Sequence, residues 1–333
     1  MPPPAEHVPA MATAANLAAK TGDSSSVVLT VIVCTRNRAE KLQRALQAVL
    51  TAFGGRQDCE VIVGDNGSTD GTAELVARLA SSDPRLRMVV QPQRGVSRAF
   101  NAAAARARGA LIGCIDDDCY VMPSYVDDVL QAFTHHPEMD YFGGRILLFD
   151  STQASLTTRE SLDREEYQPG SILRQGAVQG ANMAFRRELL DTLGGYCEQF
   201  GPGSPFSGND IEFATRASLH GFHGAYEPSV SVWHDHGRDS VAAVARMGQY
   251  NRGLGAFYMH TLLELTGPLA VARRLYWRLL RAARGRALRR WLQVAKGALH
   301  YVYLWIRNPR AFRAPRLAGE RADGQVSVRP DTA

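Results

Sequence analysis

Residues 110–119 read ALIGCIDDDC, an apolar run that stops abruptly at Asp116, Asp117 and Asp118. A short, charge-free stretch such as Ala110–Ile115 fits a buried strand, so the three carboxylates stand at a strand tip. The pattern upstream is of the same kind. VVLTVIVCT (27–35), CEVIVGD (59–65) and Leu86–Gln91 are three further apolar runs. Between them lie helical spacings: Ala39–Phe53, with Leu42, Leu46, Val49 and Leu50 on one side, then Thr69–Ala80, then an alanine-rich segment, Ser97–Arg108, closed by Gly109. Strands alternating with helices build βαβ units and a mainly parallel sheet flanked by helices. Ligands of such sheets bind outside the carboxyl ends of the strands. Those ends carry Thr35, Asp65, Gln91 and Asp116.

The second half is less regular. Tyr141–Phe149, Ala177–Phe185 and Ala225–His234 read as strands, and Arg187–Leu193 and Asp210–His220 as helices. Residues 27–240 are expected to form one α/β body, with a nucleotide-binding half (27–120) and an acceptor half (121–240). Residues 241–312 form a basic, amphipathic helical appendage. Residues 1–26, rich in Pro, Ala and Ser, and 313–333 are expected to be disordered. The chain has 333 residues and a formal net charge of +5, and the excess is concentrated in arginines between Arg273 and Arg321. That asymmetry suits an anionic surface, either lipid headgroups or nucleic acid. Arg274, Arg278 and Arg281 fall on one helical face, while Ala298–Ile306 is apolar but too short to span a bilayer. Packing of this region on the body is the competing reading. Five cysteines without a CxxC pair argue against a disulfide framework or a zinc site. A reducing, cytoplasmic setting is expected, with no secretory signal.

Three adjacent carboxylates repel one another, and a divalent cation relieves that repulsion. A solvated turn is the plainer alternative. Alternation along an extended segment puts Asp116 and Asp118 on one face and turns Asp117 away. Asp65 precedes Asn66-Gly67, where an Asp either shapes a turn or accepts from a base or ribose. Thr35, Arg36 and Asn37 can close the other side of that pocket. Asp210 opens a helix after a Gly/Pro/Ser-rich loop, as a cap or as a general base. Glu212 lies four residues before Arg216, the spacing of a helical ion pair. His234 and His236 follow a strand in SVWHDH, as structural residues or as ligands of a metal or phosphate.

Taken in order, VIVCTRNR, VGDNGSTDGT, GCIDDDCYVMP, GANMAFRRELLDTLGGY and SGNDIEFATRA resemble the family-2 glycosyltransferases over about Val27 to His236. The resemblance implies the GT-A fold, a nucleotide-sugar donor, inversion at the anomeric carbon and Mg²⁺ or Mn²⁺. It implies that Thr35, Arg36, Asn37, Asp65, Arg98 and Asp116 serve the nucleotide. Asp116, Asp118 and His234 would hold the metal, and Asp210 would be the base. Asn182, Asn209 and Glu212 would lie by donor sugar or acceptor. Asn209 stands where many members have Glu, and Phe100 rather than Arg precedes Asn101. The implied partners are a nucleotide-sugar, a carbohydrate or lipid-linked acceptor and the anionic inner face of a cell membrane, with no nucleic acid. Two rival functions are weighed. A sugar-nucleotide pyrophosphorylase would show a glycine-rich loop after the first strand, which CTRNRAEK lacks. A nucleic-acid-binding protein would not gather carboxylates at strand tips.

Overall fold

The computed structural model describes residues 27–265 and 288–313. The expectations for 1–26, for Arg274, Arg278 and Arg281, and for the tail beyond 313 fall outside the described residues. The first half follows the alternation of the sequence: β1 (Leu29–Thr35), α1 (Ala39–Phe53), β2 (Cys59–Asp65), α2 (Thr72–Ser82), β3 (Leu86–Val90), α3 (Val96–Ala104) and β4 (Leu111–Asp116). After it come β5 (Cys119–Val121), α4 (Tyr125–His135), β6 (Tyr141–Leu148), β7 (Glu165–Tyr167), β8 (Asn182–Arg186), α5 (Glu188–Leu193), α6 (Asn209–Leu219) and β9 (Gly224–His234). Helices α7 (Ser240–His260) and α8 (Leu288–Arg307) close the described chain.

One sheet runs in the order β3-β2-β1-β4-β8-β6-β9-β5, with β7 paired to β9. Strands β1 to β4 are parallel, β8 runs against β4, and β6 and β9 return to the first direction. The sheet is therefore mixed, with a parallel first half. The order turns back on itself between β1 and β4, which opens a crevice beyond their carboxyl ends. Register fixes what faces it: Thr35 pairs with Asp65, and Cys34 with Asp116.

Two apolar layers cover the sheet. One face packs under Leu42, Leu46, Val49 and Phe53 of α1 and under α4. The other takes α3, α6 and the C-terminal helices through Phe213, Phe257 and Tyr301. Gly64 of β2 lets α3 approach, because a Cβ there would lie 2.8 Å from the Ala99 carbonyl oxygen. Helices α7 and α8 cross where Gly255 meets Val294 and Gly297 meets Arg252. The described part of the appendage, α7 and α8, packs one face on the body through Leu254, Phe257, Val294 and Tyr301.

Candidate active site

The crevice continues into a cavity of about 930 Å³, lined from the tips of β1 and β4, the 174–181 loop, the start of α6, the end of β9 and the inner face of α7. The acidic run is a turn rather than an extended segment: β4 ends at Asp116, and Asp117 and Asp118 form the corner before β5. The alternation argument therefore fails here. Asp117, expected to face away, is buried and held by Thr35, whose hydroxyl donates to Oδ2 at 2.7 Å, and by Arg38 Nη1 at 2.6 Å from Oδ1. Arg38 also reaches Asp118 Oδ2 through Nη2 at 2.6 Å. One guanidinium thus neutralises both carboxylates and fixes the corner.

Strand β5 pairs with β9 so that Cys119 lies opposite His234. This register brings His234 Nε2 to 3.3 Å from Asp118 Oδ1, while Nδ1 lies 3.2 Å from the Thr157 hydroxyl. Asp116, Asp118, Cys119 and His234 each offer a ligand atom, all within 4.8 Å of one another. Two carboxylates and an imidazole suit a hard or borderline divalent cation such as Mg²⁺ or Mn²⁺. The Cys119 thiol is buried, and burial and the neighbouring aspartates push its pKa well up, so it stays a neutral bystander. Asp116 is open to the cavity yet deep among protein groups. Burial first, then the charge of Asp118, pushes its carboxyl up to about 6. Asp117 is pushed up to about 7, by burial against the opposing pull of Arg38. Asp118 is drawn the other way: His234 and Arg38 outweigh its burial and hold it well below the ordinary carboxylate range.

Asp210 also lines the cavity, from the first turn of α6, entered through Gly208 at φ +104°. The backbone N–H of Gly180 donates to its Oδ2 at 3.0 Å, and that of Ile211 to Oδ1 at 2.8 Å. Burial raises its pKa despite these bonds. The charge of Asp210 is felt at Asp116, so the base candidate and the metal candidates share one electrostatic site. Asn209 lines the cavity beside it.

Thr35 and Arg36 also reach the cavity, with Arg36 Nη1 bonded to the Asn66 carbonyl at 3.1 Å. Other expected residues do not line it. Asp65 is turned into its own loop, accepting from the Ser68 hydroxyl at 2.5 Å. Asn37 caps the same loop, accepting from the Thr69 N–H. Arg98 is drawn to Glu198 at 2.6 Å. Asn182 is fully buried and staples three strands, donating to the carbonyls of Arg145 and Val230 at 3.0 Å. Glu212 points to the far side of α6, where it holds Arg216 and His260. Sequence reasoning missed Arg38, whose signal was its place after the first strand tip, and Asn66, Arg94, Arg238 and Arg246, which reach the cavity through loops and α7.

Residues 30–194, about half of the chain, match the family model described as Glycosyl transferase family 2. The chain belongs to this family. Among curated relatives, glycosyltransferase AglE of Haloferax volcanii is 24% identical over 195 residues, covering 58% of this chain and 62% of the relative. The succinoglycan biosynthesis protein ExoU of Rhizobium meliloti is 30% identical over 178 residues, covering 49% and 50%. The chain therefore spans less than two thirds of the length of these relatives. Among solved structures, the mannosyltransferase PcManGT of Pyrobaculum calidifontis, in complex with GDP-Man and Mn²⁺, superposes with a TM-score of 0.56 at 20% identity, covering 83% and 87%. TarS 1–349 of S. aureus, in complex with UDP-GlcNAc, gives 0.58 at 15% identity, covering 83% and 80%. This glycosyltransferase-family chain shares their GT-A fold, with a C-terminal helical portion.

Proposed function

We propose that the chain is an inverting glycosyltransferase. It moves a sugar from a nucleoside-diphosphate donor, a UDP-sugar by preference, to an acceptor hydroxyl in bacterial cell-surface polysaccharide or glycolipid synthesis. The observation that carries this reading is that Asp116, Asp118, His234 and Asp210 line one cavity, with Asp210 near enough for its charge to be felt at Asp116. Mg²⁺ or Mn²⁺ bound by Asp116, Asp118 and His234 would offset charge developing on the leaving diphosphate. Arg38 keeps the Asp117–Asp118 corner in place before the donor arrives. Thr35 and Arg36 border the nucleotide at the tip of β1. Asp210 takes the acceptor's hydroxyl proton as that oxygen bonds to the anomeric carbon from the face opposite the departing diphosphate. The backbone N–H groups of Gly180 and Ile211 aim the carboxylate.

The reading also places the protein on the cytoplasmic face of an anionic membrane. Among the described residues, no helix is long and apolar enough to cross one. On α8, Leu292, Leu299, Tyr303 and Ile306 lie on one face and are 52%, 72%, 53% and 67% exposed. Arg289, Lys296 and Arg307 share or border that face, and α8 contains no acidic residue. An apolar stripe edged by cations is the form of an interfacial helix.

The test is Asp210→Asn. Sugar transfer should fall by about 10³-fold or more while Mn²⁺-dependent nucleotide binding changes little. Equal loss of both would make Asp210 structural, and full turnover in chelator would overturn the metal role.

A further inference from the structure

The charge of the cavity does not balance around its donor. Among the described residues, eight arginines and four aspartates line it, with no glutamate. A divalent cation and a nucleotide-sugar diphosphate cancel one another, so loading the donor leaves the excess of guanidinium in place. Arg38 is matched by Asp117 and Asp118. Arg159 and Arg174 share the single carboxylate of Glu165. Arg36, Arg94, Arg238, Arg246 and Arg290 line the cavity with no carboxylate partner among the described residues.

Arg246 is placed for a ligand beyond Asp210. The Ser207 hydroxyl, on the loop leading into α6, donates to the Gln249 carbonyl of α7 at 3.2 Å. Gly253, one turn on, lies against Ser207. Gln175, on the loop that also carries Arg174, donates to the Tyr250 carbonyl at 3.5 Å. The loops flanking Asp210 are thus tied to α7, whose Tyr250 lines the same cavity, and Arg246 lies one helical turn from Tyr250 on the same face. Its guanidinium lies 5.0 Å from the Tyr250 ring centroid and donates to Gln249 Oε1 at 2.8 Å. A guanidinium over an aromatic ring, at the wall of a cavity and with no acid beside it, is suited to receive an anion.

We infer that the acceptor is acidic: a glycan bearing a phosphate or carboxylate group, which Arg246, supported by Arg174 and Arg290, holds while its hydroxyl meets Asp210. This rests on the glycosyltransferase reading only in placing the acceptor beside Asp210. The anion is the handle by which the acceptor is registered, and its distance from the reacting hydroxyl selects which hydroxyl is glycosylated.

The test uses the full chain with Mn²⁺ and saturating UDP, so that the diphosphate site is filled. Glucose, glucuronic acid and glucose 6-phosphate are titrated as probes by ligand-observed NMR, with wild type, Arg246→Gln and the exposed control Arg78→Gln on α2. The acidic probes should bind wild type about tenfold or more tightly than glucose, and Arg246→Gln should erase that preference. UDP affinity and melting temperature should stay unchanged in Arg246→Gln, and Arg78→Gln should behave as wild type. Equal binding of the three probes to wild type overturns the inference. So does a fall in UDP affinity in Arg246→Gln matching the loss of the acidic probes, since the guanidinium then serves the donor. Wild type that prefers acidic probes yet binds no nucleotide overturns the donor reading and leaves the subsite standing. Comparison of the phosphate with the carboxylate probe decides which acid the site takes.

Discussion

Arg38 meets Asp117 and Asp118 at 2.6 Å each, and the two carboxylates answer differently to what surrounds them. Asp118 has His234 as well, and is held ionised; Asp117 and Asp116 are pushed up to about 7 and about 6. A proton on Asp116 competes with a cation for the same oxygen. Metal affinity should therefore rise with pH up to a little above 6 and then level, falling by up to about tenfold per unit below that range. Mn²⁺ titrations followed by electron paramagnetic resonance at pH 5.5 and 7.5 check this, and equal affinities would remove Asp116 from the ligand set. Among single residues, Asp116, Asp118, His234 and Asp210 were legible from order and position in the sequence. Asp117 was misjudged because alternation applies to a strand, and the run turns a corner after its first residue.

Helix α6 carries two acids with opposite fates. Asp210 opens into the cavity, while Glu212, two residues on, is fully buried and grips Arg216 at 2.8 Å and His260 Nε2 at 3.3 Å. His260 Nδ1 lies 3.0 Å from the Tyr301 hydroxyl, so the chain of contacts runs from the base helix to α7 and α8. Burial opposes the charge on Glu212, but Arg216 and His260 outweigh it and lower its pKa from 4.5 to about 2. The unfolded chain binds the proton more readily, so this stabilisation is present above about pH 4.5 and is lost as pH falls toward 2. Glu212→Gln should cost about 3 kcal/mol at pH 7, because it strands Arg216 and His260 in the interior. Denaturant unfolding at pH 7 and pH 3 checks this, with the penalty shrinking at the lower pH; a penalty independent of pH would show that packing rather than charge is lost. The i, i+4 spacing made the Arg216 pair readable in the sequence. His260, 48 residues away, was not.

At the scale of the whole molecule, α7 and α8 do two things at once. Their inner face closes the cavity with Tyr250, Arg246 and Arg290, and the outer face of α8 shows Leu299 and Ile306 to solvent. A protein built this way should bind vesicles containing phosphatidylglycerol and bind phosphatidylcholine vesicles much less. Leu299→Asp with Ile306→Asp should lower that binding by about tenfold or more, with the fold intact, because two exposed apolar side chains are lost from the interface. Cosedimentation checks this. Unchanged binding, or a monomer that forms only when the pair is replaced, would assign the stripe to a second copy of the chain.

By itself, the sequence determined the alternating first half, the strand tips and the family. Apolar period, turn residues and motif order are local properties, written within a few residues of where they act. The tertiary structure decided which polar residues face the cavity. Asp65 and Asn37 both accept from the 65–69 loop, Asn182 ties three strands, and Arg98 is taken by Glu198. It also decided that β5 lies beside β9, which sets His234 against Asp118, and that α7 lends Arg246 to the site. Those outcomes depend on pairings between segments tens to more than a hundred residues apart. Burial then forces each polar group to take whichever partner the fold brings near, and no local pattern records that partner.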